Sequence, residues 1–127
     1  MASDQTGLSA IGQIAITVSD IKKAISFYRD TLGMKYMFEA PNMAFFDCGG
    51  IRLMLGLAEK GGDQQYSSVI YYKVDDIVKT YEAFLSRGVH FEAKPHFVAK
   101  LPDHDLWLAF FRDQDNNLLA LMSEVQH

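Results

Sequence analysis

Val18-Ser19-Asp20-Ile21-Lys22-Lys23 is echoed by Val74-Asp75-Asp76-Ile77-Val78-Lys79. A β-rich run precedes each copy, residues 14–18 in one and 69–74 in the other. An amphipathic helix follows each and stops at a glycine, Gly33 or Gly88. In the first helix Ile21, Ala24, Ile25, Tyr28 and Leu32 recur at helical spacing; in the second, Ile77, Tyr81, Phe84 and Leu85 form the stripe. Ser19 or Asp20 is placed to cap the first helix, and Asp75 or Asp76 the second. A glycine just past the last turn tolerates the left-handed backbone that ends helices.

Beyond each glycine the pattern changes to short strands. The first copy predicts strands at 35–39, 43–47 and 51–57, with turns at Ala40-Pro41-Asn42 and Cys48-Gly49-Gly50. The second predicts strands at 90–93, 106–112 and 118–123, with a long loop over about 94–105. Residues 59–67, rich in Gly, Asp and Gln, read as a linker. The expected fold is α+β, a single domain over residues 8–125 built from two β-α-β-β-β modules, about 11–58 and 67–125. Neither half alone has enough core to stand.

Composition narrows the partners. The chain has 127 residues, 49% hydrophobic and 22% charged, as globular domains do. A formal net charge of −4 leaves no basic stripe to neutralise phosphates, so no nucleic-acid partner is expected. No apolar run is long enough to span a bilayer, and residues 1–7 lack the apolar core of a signal peptide, so no membrane partner is expected either. The lone cysteine, Cys48, rules out an internal disulfide and suits a reducing cytoplasm. It reads as a small core residue, since no basic neighbour activates it.

Three stretches carry a family resemblance: Ile14-Ala15-Ile16-Thr17-Val18-Ser19-Asp20, Phe27-Tyr28-Arg29-Asp30-Thr31-Leu32-Gly33, and residues 110–121, FFRDQDNNLLAL. The last resembles an F-x-D-P-D-G-N-x-x-E-L signature with Gln114 for Pro, Asn116 for Gly and Ala120 for Glu. Asn is the best substitute for Gly where a turn needs positive φ. Together these stretches resemble the vicinal oxygen chelate superfamily, which includes glyoxalase I, methylmalonyl-CoA epimerase, extradiol dioxygenases and bleomycin-resistance proteins. The resemblance implies an open bowl whose central strands hold a divalent ion. It places the ligand positions at Gln13, near Met54, at Val69 and at Ala120. Val and Ala offer no donor and Met is soft, so no metal and no cofactor are expected. A slip of one residue at Val69 or Ala120 brings in only Ser68, Ile70, Leu119 or Leu121.

With Gln13 facing the bowl, strand alternation sends Ala15, Thr17, Arg52, Met54, Gly56, Tyr71, Lys73, Leu118, Ala120 and Met122 to the same side. Phe45, Trp107 and Phe111 are further candidates. The expected ligand-binding set is Gln13, Thr17, Arg52, Met54, Tyr71, Trp107 and Ala120. Arg52 could grip an anionic group or lie in solvent at the rim; for Lys73 the rim outweighs contact, and for Tyr71 and Trp107 a plain core role outweighs contact. His96 and His104, on a loop with Asp103 and Asp105 beside it, are the candidates for acid–base catalysis. Both could also join Glu92 in a relocated metal site, but no metal-binding spacing supports it, and ordinary loop hydrogen bonds outweigh ligation. His127, at the terminus, is expected to be mobile. The leading function is binding of a small, partly apolar molecule by a homodimer. A lyase or isomerase/epimerase acting without metal or with relocated ligands, and a structural or regulatory domain with a vestigial pocket, are the alternatives.

Overall fold

Asp20 and Asp76, rather than the residues before them, cap the two helices, each carboxylate accepting from the backbone N–H three residues on, Lys23 or Lys79, at 3.0 Å. Each helix fills the same slot in the duplicated pattern. The computed structural model describes residues 11–57 and 69–127; the linker expected at 59–67 lies outside the described residues. In the first module β1 (Gln13–Val18) leads to α1 (Ile21–Ile25), then β2 (Lys35–Ala40), β3 (Met43–Cys48) and β4 (Ile51–Leu57). In the second, β5 (Ile70–Lys73) leads to α2 (Ile77–Ser86), then β6 (His90–Phe91), β7 (His96–Lys100), β8 (His104–Arg112) and β9 (Leu118–Gln126).

Both sheets share one plan. The order is β1-β4-β3-β2 in one and β5-β9-β8-β6 in the other, with the pair after the crossover, β1 with β4 and β5 with β9, parallel in each. Two departures from the sequence reading have local causes. The first helix does not run regularly to Leu32: from Ser26 the coil widens, with Leu32 N–H donating to Phe27 O and Met34 N–H to Tyr28 O, both at 2.9 Å. The loop expected over 94–105 is mostly strand, because β6 and β7 are one β8-pairing strand interrupted before Pro95, which has no N–H to give. Leu101 N–H then bonds His104 O at 2.8 Å, closing a tight turn over Pro102-Asp103.

The helix-side faces of both sheets, with Val18, Phe46, Leu53 and Leu55 from one and Phe111, Leu119 and Leu121 from the other, converge on one core. The modules are joined there by polar contacts. Tyr28 Oη donates to Asp113 Oδ2 at 2.9 Å in the buried interior, and Asn117 Nδ2 reaches both Asp113 Oδ2 at 2.7 Å and Thr17 O at 3.2 Å. Ser19 N–H donates to Asp115 Oδ1 at 3.0 Å. Asn116, with φ 66°, makes the left-handed turn foreseen for it. Because the helix sides share a core, each sheet's other face is turned outward.

Burial raises the Tyr28 hydroxyl well above its ordinary pKa, reinforced by the Asp113 carboxylate, and burial likewise raises Tyr72. Both phenols are held protonated. Their contribution to stability is complete below the ordinary value of 10.0 and is lost as pH rises above it toward the folded-state values. Tyr28→Phe removes a buried bond to a charged group and should cost about 1.5–3 kcal/mol, read from the midpoint of denaturant unfolding.

Candidate functional site

Residue types that a strand places on its free face make the site here. On the first sheet's outward face Gln13 and Arg52 are cross-strand partners, as are Ala15 and Met54, and Phe45 sits opposite Met54. Arg52 Nε donates to Gln13 Oε1 at 2.8 Å, and its guanidinium carbon lies 5.6 Å from the Phe45 ring centroid. Gln13 Nε2 points to Met54 Sδ at 3.9 Å. Phe45 packs on Phe38 with centroids 4.7 Å apart, and Phe38 is 47% exposed. Thr17 shares this face, opposite Gly56. Phe38 escaped the sequence reading: a bulge between Tyr36 and Phe38 puts Tyr36 in the core and Phe38 outside, although their spacing alone assigns them to one face.

On the second sheet's outward face Ala120 lies between Tyr71 on one side and Phe110 on the other. Those two rings meet edge-on at 6.0 Å, and Ala120 beneath them is 0% exposed, whereas Tyr71 is 46% exposed. His96, opposite Leu108 on β7, stacks on Phe110 at 6.4 Å, and its Nδ1 lies 3.2 Å from Lys94 O. Farther along the face, His104 Nδ1 meets Asp103 Oδ1 at 2.7 Å while its Nε2 lies 3.7 Å from Glu124 Oε2. Lys73 Nζ closes this line on Glu124 Oε1 at 2.9 Å. The ammonium bond holds the Glu124 carboxyl below its ordinary range, and the His104 bond does the same for Asp103.

Several expectations change. Trp107 is not on this face: it shares the helix side with Ser123, its strand partner, and packs against the core and α2. Counting by twos back from buried Phe111 puts Ala109 and Trp107 on that side. Phe111 is core as well. His96 sits on a strand, not on a loop, and its partner Leu108 is four positions from His104 along β8, roughly 13 Å of strand. The two histidines therefore lie at separate places on the face, and of the two it is His104 that meets Asp103. His127 is held rather than loose, with Nε2 at 2.8 Å from Asp105 Oδ1 and N–H donating to Asp103 O at 3.2 Å. Burial, and then the neighbouring Asp47, raise the Cys48 thiol, so it is no activated nucleophile. Among the described residues no hydrogen bond or ion pair joins the Arg52 group to the Tyr71 group.

The duplicated β-α-β-β-β plan and its linked turn can now be set beside known proteins. Residues 10–121 match the Glyoxalase/Bleomycin resistance protein/Dioxygenase superfamily profile. The chain belongs to that superfamily. It is 33% identical over 126 residues to the uncharacterized protein YraH of Bacillus subtilis, covering 86% of this chain and 94% of that one. A shorter match, 44% over 48 residues, is to the metallothiol transferase FosB of Staphylococcus haemolyticus, covering 38% of this chain and 34% of that one. Among solved structures, a superfamily member from Sphaerobacter thermophilus superposes with a TM-score of 0.74 at 28% identity, covering 92% of this chain and 98% of the other.

The positions that the superfamily resemblance assigns to a divalent ion do not fit one. Val69 and Ala120 carry no donor, and Ala120 is covered by rings. The Gln13 carbonyl oxygen, the one hard donor of the four, already accepts from a guanidinium. Among the described residues no three His, Cys, Asp or Glu side chains are grouped to hold a metal. No helix among them is long and apolar enough to cross a membrane. Lys73→Ala should let the Glu124 carboxyl rise toward its ordinary value of 4.5, followed by carboxyl ¹³C NMR titration.

Proposed function

We propose that this chain is a metal-free binding protein of its superfamily, taking a small, partly apolar molecule on its outward sheet faces. The observation that carries the reading is the Arg52–Gln13 bond at 2.8 Å, which puts a fixed cation against the one hard donor left at the ion's position. Apolar area with sparse polar groups suits a small ligand: Phe38, Phe45, Met54, Tyr71 and Phe110 supply the area, and Arg52, Gln13 and Lys73 the handles. The anionic or carbonyl end of the ligand belongs at Arg52.

Each outward face is half a site. Phe38 and Tyr71 stand nearly half exposed on separate sheets, an arrangement that favours a homodimer in which one copy's first sheet faces the partner copy's second. A reaction, as a lyase or isomerase working without metal, is the second reading. It is favoured by one pair: Asp103 holds His104 Nδ1 at 2.7 Å, which would leave Nε2 to accept or release a proton, and the His104 side chain is only 14% exposed.

Elemental analysis of the purified protein should find no stoichiometric divalent metal, and chelator should leave the thermal midpoint unchanged; about one tightly held ion per chain would overturn the reading. Sedimentation at micromolar concentration should give a dimer, and a monomer would overturn the shared site. Native mass measurement of any co-purifying molecule, followed by turnover with His104→Gln, separates binding from catalysis.

A further inference from the structure

We propose that the ligand at Arg52 is a flat aromatic monocarboxylate, its carboxylate on the two terminal guanidinium nitrogens and its ring on the Phe45–Phe38 stack. This rests on the reading that the outward face binds a small molecule. Gln13 occupies Nε at 2.8 Å and the guanidinium carbon lies over the Phe45 ring, 5.6 Å from its centroid, so Nη1 and Nη2 form the group's remaining donor edge. Nη1 and Nη2 have no partner among the described residues, which leaves a planar pair of donors that matches a carboxylate in two parallel bonds. A ligand coplanar with that fork continues over the same aromatic surface. Phe38, packed on Phe45 at 4.7 Å and 31°, extends it, and a flat ring gains from both.

The charge of the face selects a monoanion. Asp47 is the cross-strand partner of Arg52 and shares its face, its Oδ1 accepting from Gly50 N–H at 3.0 Å. One guanidinium beside one carboxylate suits a single negative charge better than a phosphate dianion. Gln13 is then a positioning residue: its carbonyl is spent on Arg52 and its amide turns to Met54, so it orients the fork instead of meeting the ligand.

The Met54 methyl, beside that amide, reports the site. The full chain, labelled with ¹³C-methyl methionine, is titrated with 2-naphthoate, 2-naphthamide and cyclohexanecarboxylate. Naphthoate should shift the Met54 signal saturably, with the amide and the non-aromatic acid each at least about tenfold weaker. Arg52→Gln should bring naphthoate and naphthamide to equal affinity, and Arg52→Lys should restore only part of the difference. Gln13→Ala should narrow the acid-over-amide preference while leaving the amide's affinity unchanged, a result that loss of folding would not produce. Equal binding of acid and amide by the unaltered protein would overturn the carboxylate assignment, and equal binding of the two acids the aromatic one, with the binding face intact in both cases. No shift at Met54 with any of the three, in a folded protein, would overturn the binding face itself.

Discussion

The Asp113 carboxylate is the constraint on which the rest of the molecule depends. It is buried and accepts from Tyr28 Oη, from the backbone N–H groups of Asp115 and Asn117, and from Asn117 Nδ2. A carboxylate withdrawn from water is costly unless its lone pairs are filled, and here four donors fill them. Two of those bonds shape the turn that sets the register of β8 against β9, and hence the stacking of Phe110 over Ala120. A third ties that turn to the first module's helix. The same side chain therefore links the turn of the second sheet to the helix of the first module.

Outward faces impose a chemistry of their own. A guanidinium stacked on a ring and hydrogen-bonded through Nε offers positive charge with fixed direction, but it cannot take a ligand's lone pair or acidify a bound water as a divalent ion does. On this face the tools are charge, planarity and aromatic area. At the far end of the other face the Asp103–His104–Glu124–Lys73 line is of another kind, with two carboxylates interleaved with an imidazole and an ammonium across β5, β9 and the start of β8.

Much of this was written in the sequence. The echoed Val-x-Asp-Ile segments gave the duplication, the glycines the helix ends, and Asn116 the turn, because each rests on local backbone chemistry. Period-two alternation placed Gln13, Arg52, Met54, Tyr71 and Ala120 on one side of their strands, as the pairing bears out. It failed where local spacing does not report pairing. The bulge at Met37 reverses the face of Phe38, and the face of Trp107 depends on β8 running unbroken from His104. The strand over 96–100 was missed because Pro95 and the charged residues around it resemble a loop, and only pairing to β8 makes it a strand. The contact between Arg52 and Gln13 joins residues 39 apart, beyond the reach of any local pattern.

The bulge in β2 has a counterpart in β7, between Phe97 and Ala99, so an outer strand of each sheet is kinked one residue past an aromatic. Lys35 and Lys100 stand near these kinks, exposed. Unpaired strand edges invite other chains to add on, and a bulge with a nearby lysine spoils the template. Sheet growth at these outer edges is therefore discouraged in both modules. A protein with two apolar sheet faces turned outward carries its protection against open-ended assembly in the strands beside them.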